Sequence, residues 1–326
     1  MGTLYIDRKG IHIKLDGSAL AFYANGEREG MVPLNPLKRI VIIGNSVIES
    51  SVFRKLSDDG ISLLFLSGRM MRFCGMFHGR LHNNGLLRVK QYEKSLGLFV
   101  IEFSREIVRR KVQAQSGLLH DALDRRPDLR FPLTTGLSTI EKIERSLNNV
   151  VVNSELCEGV LGILRGLEGS AASAYFSAYT ALFPESLGFT KRTRRPPEDA
   201  VNALLSLCYT LIHYEMVREI EVIGLDPTIG FYHQFEYGRE SLACDLVEIY
   251  RPEVDRFVWA LCRDREFTDR DFSTDGERPG CYLKKGARAR FYPLYEEWAK
   301  TMRPVFVEEV RALARRITDG QNALFE

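Results

Sequence analysis

The hydrophobic pattern of this chain changes near residue 85, and this change limits the folds open to it. Before it, the turn signals Asp16-Gly17 and Asn25-Gly26 separate short apolar segments, which is typical of β-hairpins. After it, apolar residues recur three and four positions apart over long segments, which is typical of helices. The sequence therefore predicts an α+β protein, with a small N-terminal mainly-β domain (residues 1–85) followed by a larger all-α C-terminal domain (residues 86–326).

Five strands and one short helix are predicted in the N-terminal domain. The strands cover residues 11–15, 19–23, 31–33, 40–43 and 61–66, and the helix covers residues 51–58. The helices predicted in the C-terminal domain cover residues 92–119, 155–183, 199–223, 253–263 and 291–317. Ser138 and Glu141 form a capping box that predicts another helix start, after a loop over residues 125–132. A further helix is expected to end at Pro252, and residues 265–286 are expected to form a loop.

The composition is that of an ordinary soluble globular protein. The 326 residues are 45% hydrophobic and 27% charged. No apolar run approaches the roughly 18–20 residues that a membrane span needs. The six cysteines show no zinc-ligand spacing, and Cys208 and Cys262 lie in apolar helical segments. Reduced thiols of this kind indicate a cytoplasmic protein.

Basic residues are concentrated locally, although the net charge is only +2. One cluster contains Arg194 and Arg195, and a second contains Lys284 and Arg288. A near-neutral protein with such clusters can bind phosphate groups. Each cluster taken alone is equally consistent with solvated surface charge.

Glu168 is the first candidate for chemistry, because it falls within an otherwise apolar stripe of a predicted helix. An unpaired carboxylate there is costly, so Glu168 should be paired, protonated or bound to a metal. For a lone glutamate, pairing with an arginine or a helix end is the simpler interpretation. Gly166 and Gly169 flank it and leave room for another backbone or a ligand to approach.

His233 lies after a turn, shortly before a predicted helix that carries Asp245 and Glu248. Carboxylates three residues apart lie next to each other on a helix and repel, so a divalent cation is the obvious group to offset them. A single histidine after a turn is more often structural than a ligand. The metal-site hypothesis therefore depends on convergence with Glu168. Carboxylates with one imidazole suit Mg²⁺ or Mn²⁺ better than structural zinc.

Several motifs along the chain occur in the order found in one known family. They are Ile43-Gly44-Asn45, Leu167-Glu168-Gly169, Arg194-Arg195-Pro196-Pro197, Gly224-Leu225-Asp226-Pro227, and Ser241-Leu242-Ala243 followed by Asp245, Glu248 and Arg251-Pro252. Over nearly its whole length, the chain resembles the Cas-one family, the CRISPR-associated integrases of spacer acquisition in antiviral defence. The stretch after His233 departs from many relatives, which are more charged there, and this bears on DNA contacts.

The resemblance implies an N-terminal β domain used in homodimerisation and a C-terminal helical domain that carries a metal site for Mg²⁺ or Mn²⁺. Glu168, His233 and Glu248 match the metal ligands of the family. Asp245 matches an auxiliary catalytic acid beside them. The candidates for phosphate contacts are Arg194, Arg195, Arg239, Lys284 and Arg288.

The predicted function is then a metal-dependent DNA integrase. The 3′-hydroxyl of a short captured duplex would attack a phosphodiester at the CRISPR repeat, with a small dimeric adaptation protein as partner. Two alternatives remain open. With water as the nucleophile, the same site would make the chain a structure-specific endonuclease. With a degenerate site it would be a DNA-binding scaffold, which the intact Glu168, His233, Asp245 and Glu248 argue against.

Overall fold

The computed structural model describes residues 2–68, 70–79, 84–150, 157–194, 196–275 and 278–318. The strands in these ranges are β1 (Gly2–Ile6), β2 (Ile11–Asp16), β3 (Ala19–Ala24), β4 (Glu27–Pro33), β5 (Leu37–Ile43), β6 (Ser46–Ile48), β7 (Ser62–Leu66), β8 (Phe73–Phe77), β9 (Phe272–Asp275) and β10 (Arg278–Leu283). The helices are α1 (Ser50–Asp58), α2 (Gly85–Ser95), α3 (Phe99–Arg125), α4 (Arg130–Asn148), α5 (Cys157–Thr180), α6 (Ala200–Ile223), α7 (Ser241–Arg263) and α8 (Lys285–Ile317). This order of a β-rich region followed by a helical region confirms the predicted α+β class.

Two four-stranded sheets form the β-rich region. One has the strand order β1-β5-β7-β8, with β1, β5 and β7 parallel and β8 antiparallel to β7. The other has the order β4-β3-β2-β6, with two antiparallel hairpins. Asn25 and Gly26 both have positive φ between β3 and β4, as a tight two-residue hairpin turn requires. Between β2 and β3 the loop residues are Gly17 and Ser18, one position later than predicted.

The apolar faces of these strands and of α1 form one core. Its buried members are Ile6, Ile11, Ile13, Leu20, Leu34, Ile40, Ile42, Val52, Leu56, Ile61 and Leu63. The predicted helix over residues 51–58 is α1, and the predicted strands correspond to β2–β5 and β7. Strands β1, β6 and β8 were not predicted, because they neither flank a hairpin turn signal nor form an uninterrupted run of aliphatic residues.

The chain divides into two compact units. One contains Met1–Asn83 together with Arg288–Val305, and the other contains Asn84–Ala287 together with Phe306–Glu326. The middle of α8 therefore belongs to the first unit, where the ring of Tyr292 stacks on that of Tyr5 with centroids 4.2 Å apart. A single domain boundary at residue 85 leaves this segment out of the first unit. Helical periodicity shows that one face of a helix is buried, but it does not show which other elements cover that face.

Helix α7 runs unbroken through Pro252, where the sequence indicated a join between two helices. A proline inside a helix removes one backbone hydrogen bond. The helix continues because its next turns bury Val254, Asp255 and Val258 against the helical unit. Asp245, Glu248 and the residues of these next turns therefore lie on one rigid element.

Other helix ends also differ from the predictions. Ser138 lies inside α4 and does not cap it, because the buried stripe already begins at Leu133. The helix predicted over residues 92–119 is two helices, α2 and α3, and Asn84 caps the first by accepting a hydrogen bond from the Leu87 backbone at 3.0 Å. Residues predicted as a loop contain the hairpin of β9 and β10.

Helix α6 follows its sequence signals closely. Asp199 accepts a hydrogen bond from the Asn202 backbone at 2.8 Å and caps the start, while Gly224 ends the helix with a positive φ of 98°. Among the described residues, α6 is the one helix long and apolar enough to cross a membrane, and 72% of its most apolar window is buried. Burial of this extent is typical of a core helix. Cys208 in α6 and Cys262 in α7 are buried free thiols.

Candidate metal centre

The loop before α7 wraps around the carboxylate of Asp245. This side chain is fully buried and accepts backbone hydrogen bonds from Phe231 at 2.6 Å, Tyr232 at 2.9 Å and His233 at 2.8 Å. Its Oδ1 also lies 2.7 Å from Nδ1 of His233. Asp245 therefore fixes both the loop backbone and the orientation of the imidazole, which leaves Nε2 on the opposite edge of the ring.

Gly230 allows this loop to lie close to α7. A Cβ atom there would come within 2.7 Å of the backbone carbon of Ser241 and 2.9 Å of Oδ2 of Asp245. Real Cβ contacts to backbone atoms are not this short, so a larger residue would move the loop. The glycine thus sets the position of His233 indirectly.

Glu168 on α5 and Glu248 on α7 converge on one cation, the ammonium of Lys111 on α3. Nζ of Lys111 contacts Oε1 of Glu168 and Oε2 of Glu248. The lysine and Glu248 are buried, whereas the side chain of Glu168 is 23% exposed. Three helices thus bring two acids to a single position, with its more open edge at Glu168.

Arg251 completes the surroundings of Glu248. Its Nε donates to Oε1 of Glu248 at 2.8 Å, one helical turn along α7. Burial alone would raise the pKa of Glu248, but the charges of Arg251 and Lys111 lower this pKa well below its usual range. Burial would lower the pKa of Lys111, and Glu248 and Glu168 raise it instead. The acid and the lysine are therefore both charged at neutral pH.

His233 acts electrostatically on one member of the group formed by Glu168, Glu248, Lys111 and Arg251. His233 is among the groups that lower the pKa of Glu248. The neighbouring Tyr232 has a raised pKa, mainly because of burial and then because of the charges of Glu168 and Glu248. The two acids and the histidine loop therefore share one neighbourhood.

A second buried network supports Arg251 from behind. The Arg251 guanidinium lies over the ring of Tyr209, 4.5 Å from its centroid, and the Tyr209 hydroxyl donates to the carboxylate of Asp255. Tyr175 donates to the other carboxylate oxygen at 2.8 Å. Burial raises the pKa of Asp255 to about 6, against the opposite effect of these two hydrogen bonds. Asp255, Tyr209 and Arg251 thus form a relay of contacts that ends at Glu248.

As they stand, no three His, Cys, Asp or Glu side chains in the described ranges are close enough to hold one metal ion. Lys111 lies between Glu168 and Glu248, and His233 is turned by Nδ1 towards Asp245. The donor types nevertheless fit Mg²⁺ or Mn²⁺: two carboxylates that already share one cation, and an imidazole held by a carboxylate through its other nitrogen. From the sequence, a divalent cation was predicted to offset the negative charges of Asp245 and Glu248. In the structure, protein groups lie next to these carboxylates instead: His233 at Asp245, and Lys111 and Arg251 at Glu248.

The predicted phosphate contacts have different environments. Arg194 and Lys284 are exposed, and Lys284 donates to the backbone oxygen of Arg270 at 2.7 Å. Arg239 pairs with Glu236 in its own loop. Arg195 lies outside the described residues.

Arg288 is the predicted contact that the structure argues against. Its side chain is 8% exposed and donates from Nε to Oδ2 of Asp7 at 2.7 Å, within the N-terminal compact unit. The Tyr292 hydroxyl donates to the same oxygen at 3.2 Å. Arg288 is therefore one member of a structural ion pair with Asp7. Its position among other basic residues in the sequence does not make its guanidinium available to DNA.

Lys111, Arg251 and Asp255 were missed by sequence reasoning. A signal existed for Lys111, which lies on the apolar stripe of α3 with Val108 and Val112, just as Glu168 interrupts the stripe of α5. Arg251 follows Glu248 by three residues, a spacing that places opposite charges side by side on a helix. An acid and a base that both interrupt buried stripes are candidates for pairing with each other.

Fold and site together define an α+β protein whose helical unit gathers carboxylates and an imidazole on three packed segments. The family described as CRISPR associated protein Cas1 matches residues 4–297. A CRISPR-associated endonuclease Cas1 of Thermodesulfovibrio yellowstonii is 50% identical over 324 residues, covering 99% of each chain. Another, of Rhodospirillum rubrum, is 34% identical over 279 residues, covering 83% of this chain and 79% of that relative. The chain belongs to the Cas1 family.

Solved structures share the fold. A Cas1 protein from Thermotoga maritima aligns with a TM-score of 0.83 at 24% identity, covering 98% of both chains. A casposase bound to its integration product aligns with a TM-score of 0.81 at 21% identity, covering 99% of this chain and 92% of that one. A chain of a Cas6-RT-Cas1–Cas2 complex aligns with a TM-score of 0.80 at 22% identity, with 36% of that chain covered. These alignments concern the arrangement of secondary structure alone.

Proposed function

We propose that this Cas1 protein is a metal-dependent DNA integrase of CRISPR adaptation. The observation that carries the proposal is the convergence of Glu168 and Glu248 on one cation, next to an imidazole oriented by Asp245. In the proposed reaction, the 3′-hydroxyl of a short captured duplex attacks a phosphodiester at the repeat. A second such step joins the other strand. The casposase with this fold was solved on an integration product, which supports this choice.

Glu168, His233 and Glu248 would hold Mg²⁺ or Mn²⁺. When bound, the cation would polarise the phosphoryl oxygen and stabilise the charge that develops during displacement. Asp245 keeps the imidazole in place through Nδ1 and leaves Nε2 for the ligand role. Arg251 keeps Glu248 ionised, and Tyr209 supports Arg251 through its ring.

DNA would be held electrostatically. Arg194 and Lys284 are exposed and are the stronger candidates among the described residues, and Arg239 would have to release Glu236 first. Arg195 stays a prediction from the sequence. Such contacts provide affinity and salt dependence and do not read the base sequence.

Protein partners follow from the same proposal. They are a second copy of the chain and a small dimeric adaptation protein, in a reducing cytoplasm; the complex named above contains both Cas1 and Cas2. Strand β4 is an edge strand with almost all of its residues exposed, so it offers unpaired backbone groups for homodimerisation. The first compact unit would then serve dimerisation and the second would serve chemistry.

A strand-transfer assay tests the proposal. Purified protein, with and without the adaptation partner, is mixed with Mn²⁺, a labelled short duplex and a supercoiled plasmid that carries a CRISPR repeat. Label should enter the plasmid only when metal is present. This strand transfer should be lost in the variants Glu168→Gln, His233→Ala and Glu248→Gln. Glu158→Gln, an exposed position near the start of α5, is the matched control and should retain full activity.

Endonuclease action is the second candidate, since the relatives named above carry that description. Water would replace the 3′-hydroxyl as nucleophile at the same site. A branched half-site substrate separates the two reactions, because joined products support integration and cut-only products support hydrolysis. DNA binding without either reaction would leave a scaffold and would contradict the assigned site.

A further inference from the structure

Lys111 contacts both acids of the proposed metal centre, but it has no role in the proposed reaction. It is buried in the middle of α3, among apolar neighbours such as Val108 and Val112. Its ammonium contacts the carboxylates of both Glu168 and Glu248. A buried lysine needs a compensating charge, but one acid would be enough for that. The contact with two acids at once requires a further explanation.

The groups joined to one another by direct ion pairs at Lys111 are already balanced in charge. Glu168 and Glu248 carry two negative charges, and Lys111 and Arg251 supply two positive charges within direct contact. A dication placed between the same two carboxylates would face the ammonium at close range, in an environment where water screens charges weakly. The ammonium and a metal ion therefore compete for one position.

The lysine side chain is able to leave this position. Its ammonium is a compact charge on a flexible stem, unlike the guanidinium of Arg251, which is held against the ring of Tyr209. The side chain of Glu168 is 23% exposed, compared with 8% for Lys111, so the cluster opens towards solvent on the Glu168 side. A displaced ammonium can move outward there and become hydrated.

We propose that Lys111 is an intramolecular substitute for the divalent cation: it bridges Glu168 and Glu248 in the metal-free protein and is displaced from between them when Mg²⁺ or Mn²⁺ binds. This inference rests on the metal centre proposed above. The lysine holds the two acids together before metal arrives and lowers the apparent metal affinity, because each binding event must first break its two ion pairs. It is a positioning residue and a competitor, and it is not a metal ligand.

Calorimetric titration with Mn²⁺ alone tests the competition without any activity measurement. Lys111→Met keeps the length of the stem and removes the charge, so it should bind Mn²⁺ at least about tenfold more tightly than the wild type. Equal or weaker binding by this variant would overturn the inference. Glu248→Gln should lose binding in either case. If wild type, Lys111→Met and Glu248→Gln all fail to bind Mn²⁺, the proposed metal centre itself is wrong, which is a different result.

Thermal unfolding supplies a second readout on the same proteins. In EDTA, Lys111→Met should unfold at a lower temperature than the wild type, because Glu168 and Glu248 each lose their ion pair with Lys111. Mn²⁺ should raise the Tm of the variant by more than it raises that of the wild type. An equal Mn²⁺-dependent rise in both proteins would contradict displacement.

Chemical labelling keeps the test independent of variants that fold poorly. Wild-type protein is acetylated with and without Mg²⁺, and the modification of each lysine is followed by mass spectrometry. Lys111 should react several-fold faster with Mg²⁺, since the displaced ammonium reaches solvent. Lys142, an exposed residue of α4, serves as the control and should react at one rate in both conditions. A Lys111 rate that is unchanged or reduced by Mg²⁺ would show that the lysine stays in place.

Discussion

The carboxylate of Asp245 lies 2.7 Å from Nδ1 of His233 and accepts three backbone hydrogen bonds from the loop that carries this histidine. The resemblance placed Asp245 beside the metal ligands as an auxiliary acid. Its geometry shows a definite task, which is to hold the histidine in one orientation. Since the hydrogen bonds of Asp245 within the described part of the chain are all to this loop, we expect Asp245 to act on the proposed site through His233.

Asp245→Asn should therefore weaken metal binding without removing a ligand. Asparagine has an NH2 group in place of one carboxylate oxygen. This NH2 group would face hydrogen-bond donors, either the loop backbone N–H groups or the imidazole, and would lose those hydrogen bonds. Loss of such a partner of a ligating histidine typically costs about 10- to 100-fold in metal affinity or activity. We expect the Mn²⁺ affinity, measured by calorimetry, to decrease by a factor within this range. Asp264→Asn, at the exposed end of α7, is the control, and equal affinities for the two variants would contradict the assignment.

Gly230→Ala should displace the same loop by steric contact. The new methyl group would meet the Ser241 backbone at 2.7 Å, where neither atom is at the end of a flexible side chain. Overpacking of this kind costs about 1–3 kcal/mol. We expect urea unfolding to show a loss of this size, together with a loss of strand transfer. A variant with wild-type stability and activity would show that the loop has room that the structure does not.

Gly169→Ala should have the opposite effect on stability. Among the described residues, no atom outside the adjacent backbone of the same helix lies within 4 Å of a Cβ built at Gly169 or Gly166, so close packing there does not require these glycines. Alanine is favoured over glycine inside a helix by about 0.5–1 kcal/mol. We expect a gain of this size in the free energy of unfolding of Gly169→Ala. If strand transfer falls while stability rises, a ligand must approach the helix at this glycine, as the sequence interpretation proposed.

Much of the fold follows from local patterns, and the site follows only in part. Alternating apolar residues around Asn25-Gly26 and the cap pair of Asp199 and Gly224 are local signals, and the structure agrees with them. The pairing of Lys111 with Glu168 depends on how α3, α5 and α7 pack, and no short segment contains that information. Periodicity marked Glu168 as inward-facing, but it did not name the partner.

Exposed and buried basic residues should separate in a DNA-binding assay. Lys284→Ala removes an exposed charge, so DNA affinity should fall and the slope of log affinity against log salt should decrease in magnitude by about 1. Arg288→Ala removes the partner of Asp7, so stability should fall by about 3 kcal/mol with the salt slope unchanged. Fluorescence anisotropy with a short duplex over a salt series measures the first effect. A changed slope for Arg288→Ala, with no loss of stability, would restore it as a phosphate contact.

Asp255 should make stability depend on pH in a defined window. Its pKa rises from the usual 3.8 to about 6 in the folded protein because of burial, so between these values the folded state holds a proton that the unfolded state releases. The stability contributed by this proton is fully present below about pH 4 and is lost as pH rises through about 6. The gap between the two pKa values corresponds to about 3 kcal/mol. Asp255→Asn has no such proton to lose.

The free energy of unfolding of Asp255→Asn, relative to wild type, should thus increase by up to about 3 kcal/mol between pH 4 and pH 7. Urea unfolding at several pH values measures it, and the slope of the difference matters more than its offset, since the amide also changes the hydrogen bonds from Tyr209 and Tyr175. Tyr209→Phe is the matched variant: it removes one hydrogen bond that lowers the pKa of Asp255 in the folded state, so the upper limit of its window should move to higher pH while the lower limit stays at about pH 4. Parallel stability curves for wild type and Asp255→Asn would mean that the pKa of Asp255 is the same in the folded and unfolded states, and that Arg251 and Arg192 fully offset the effect of its burial.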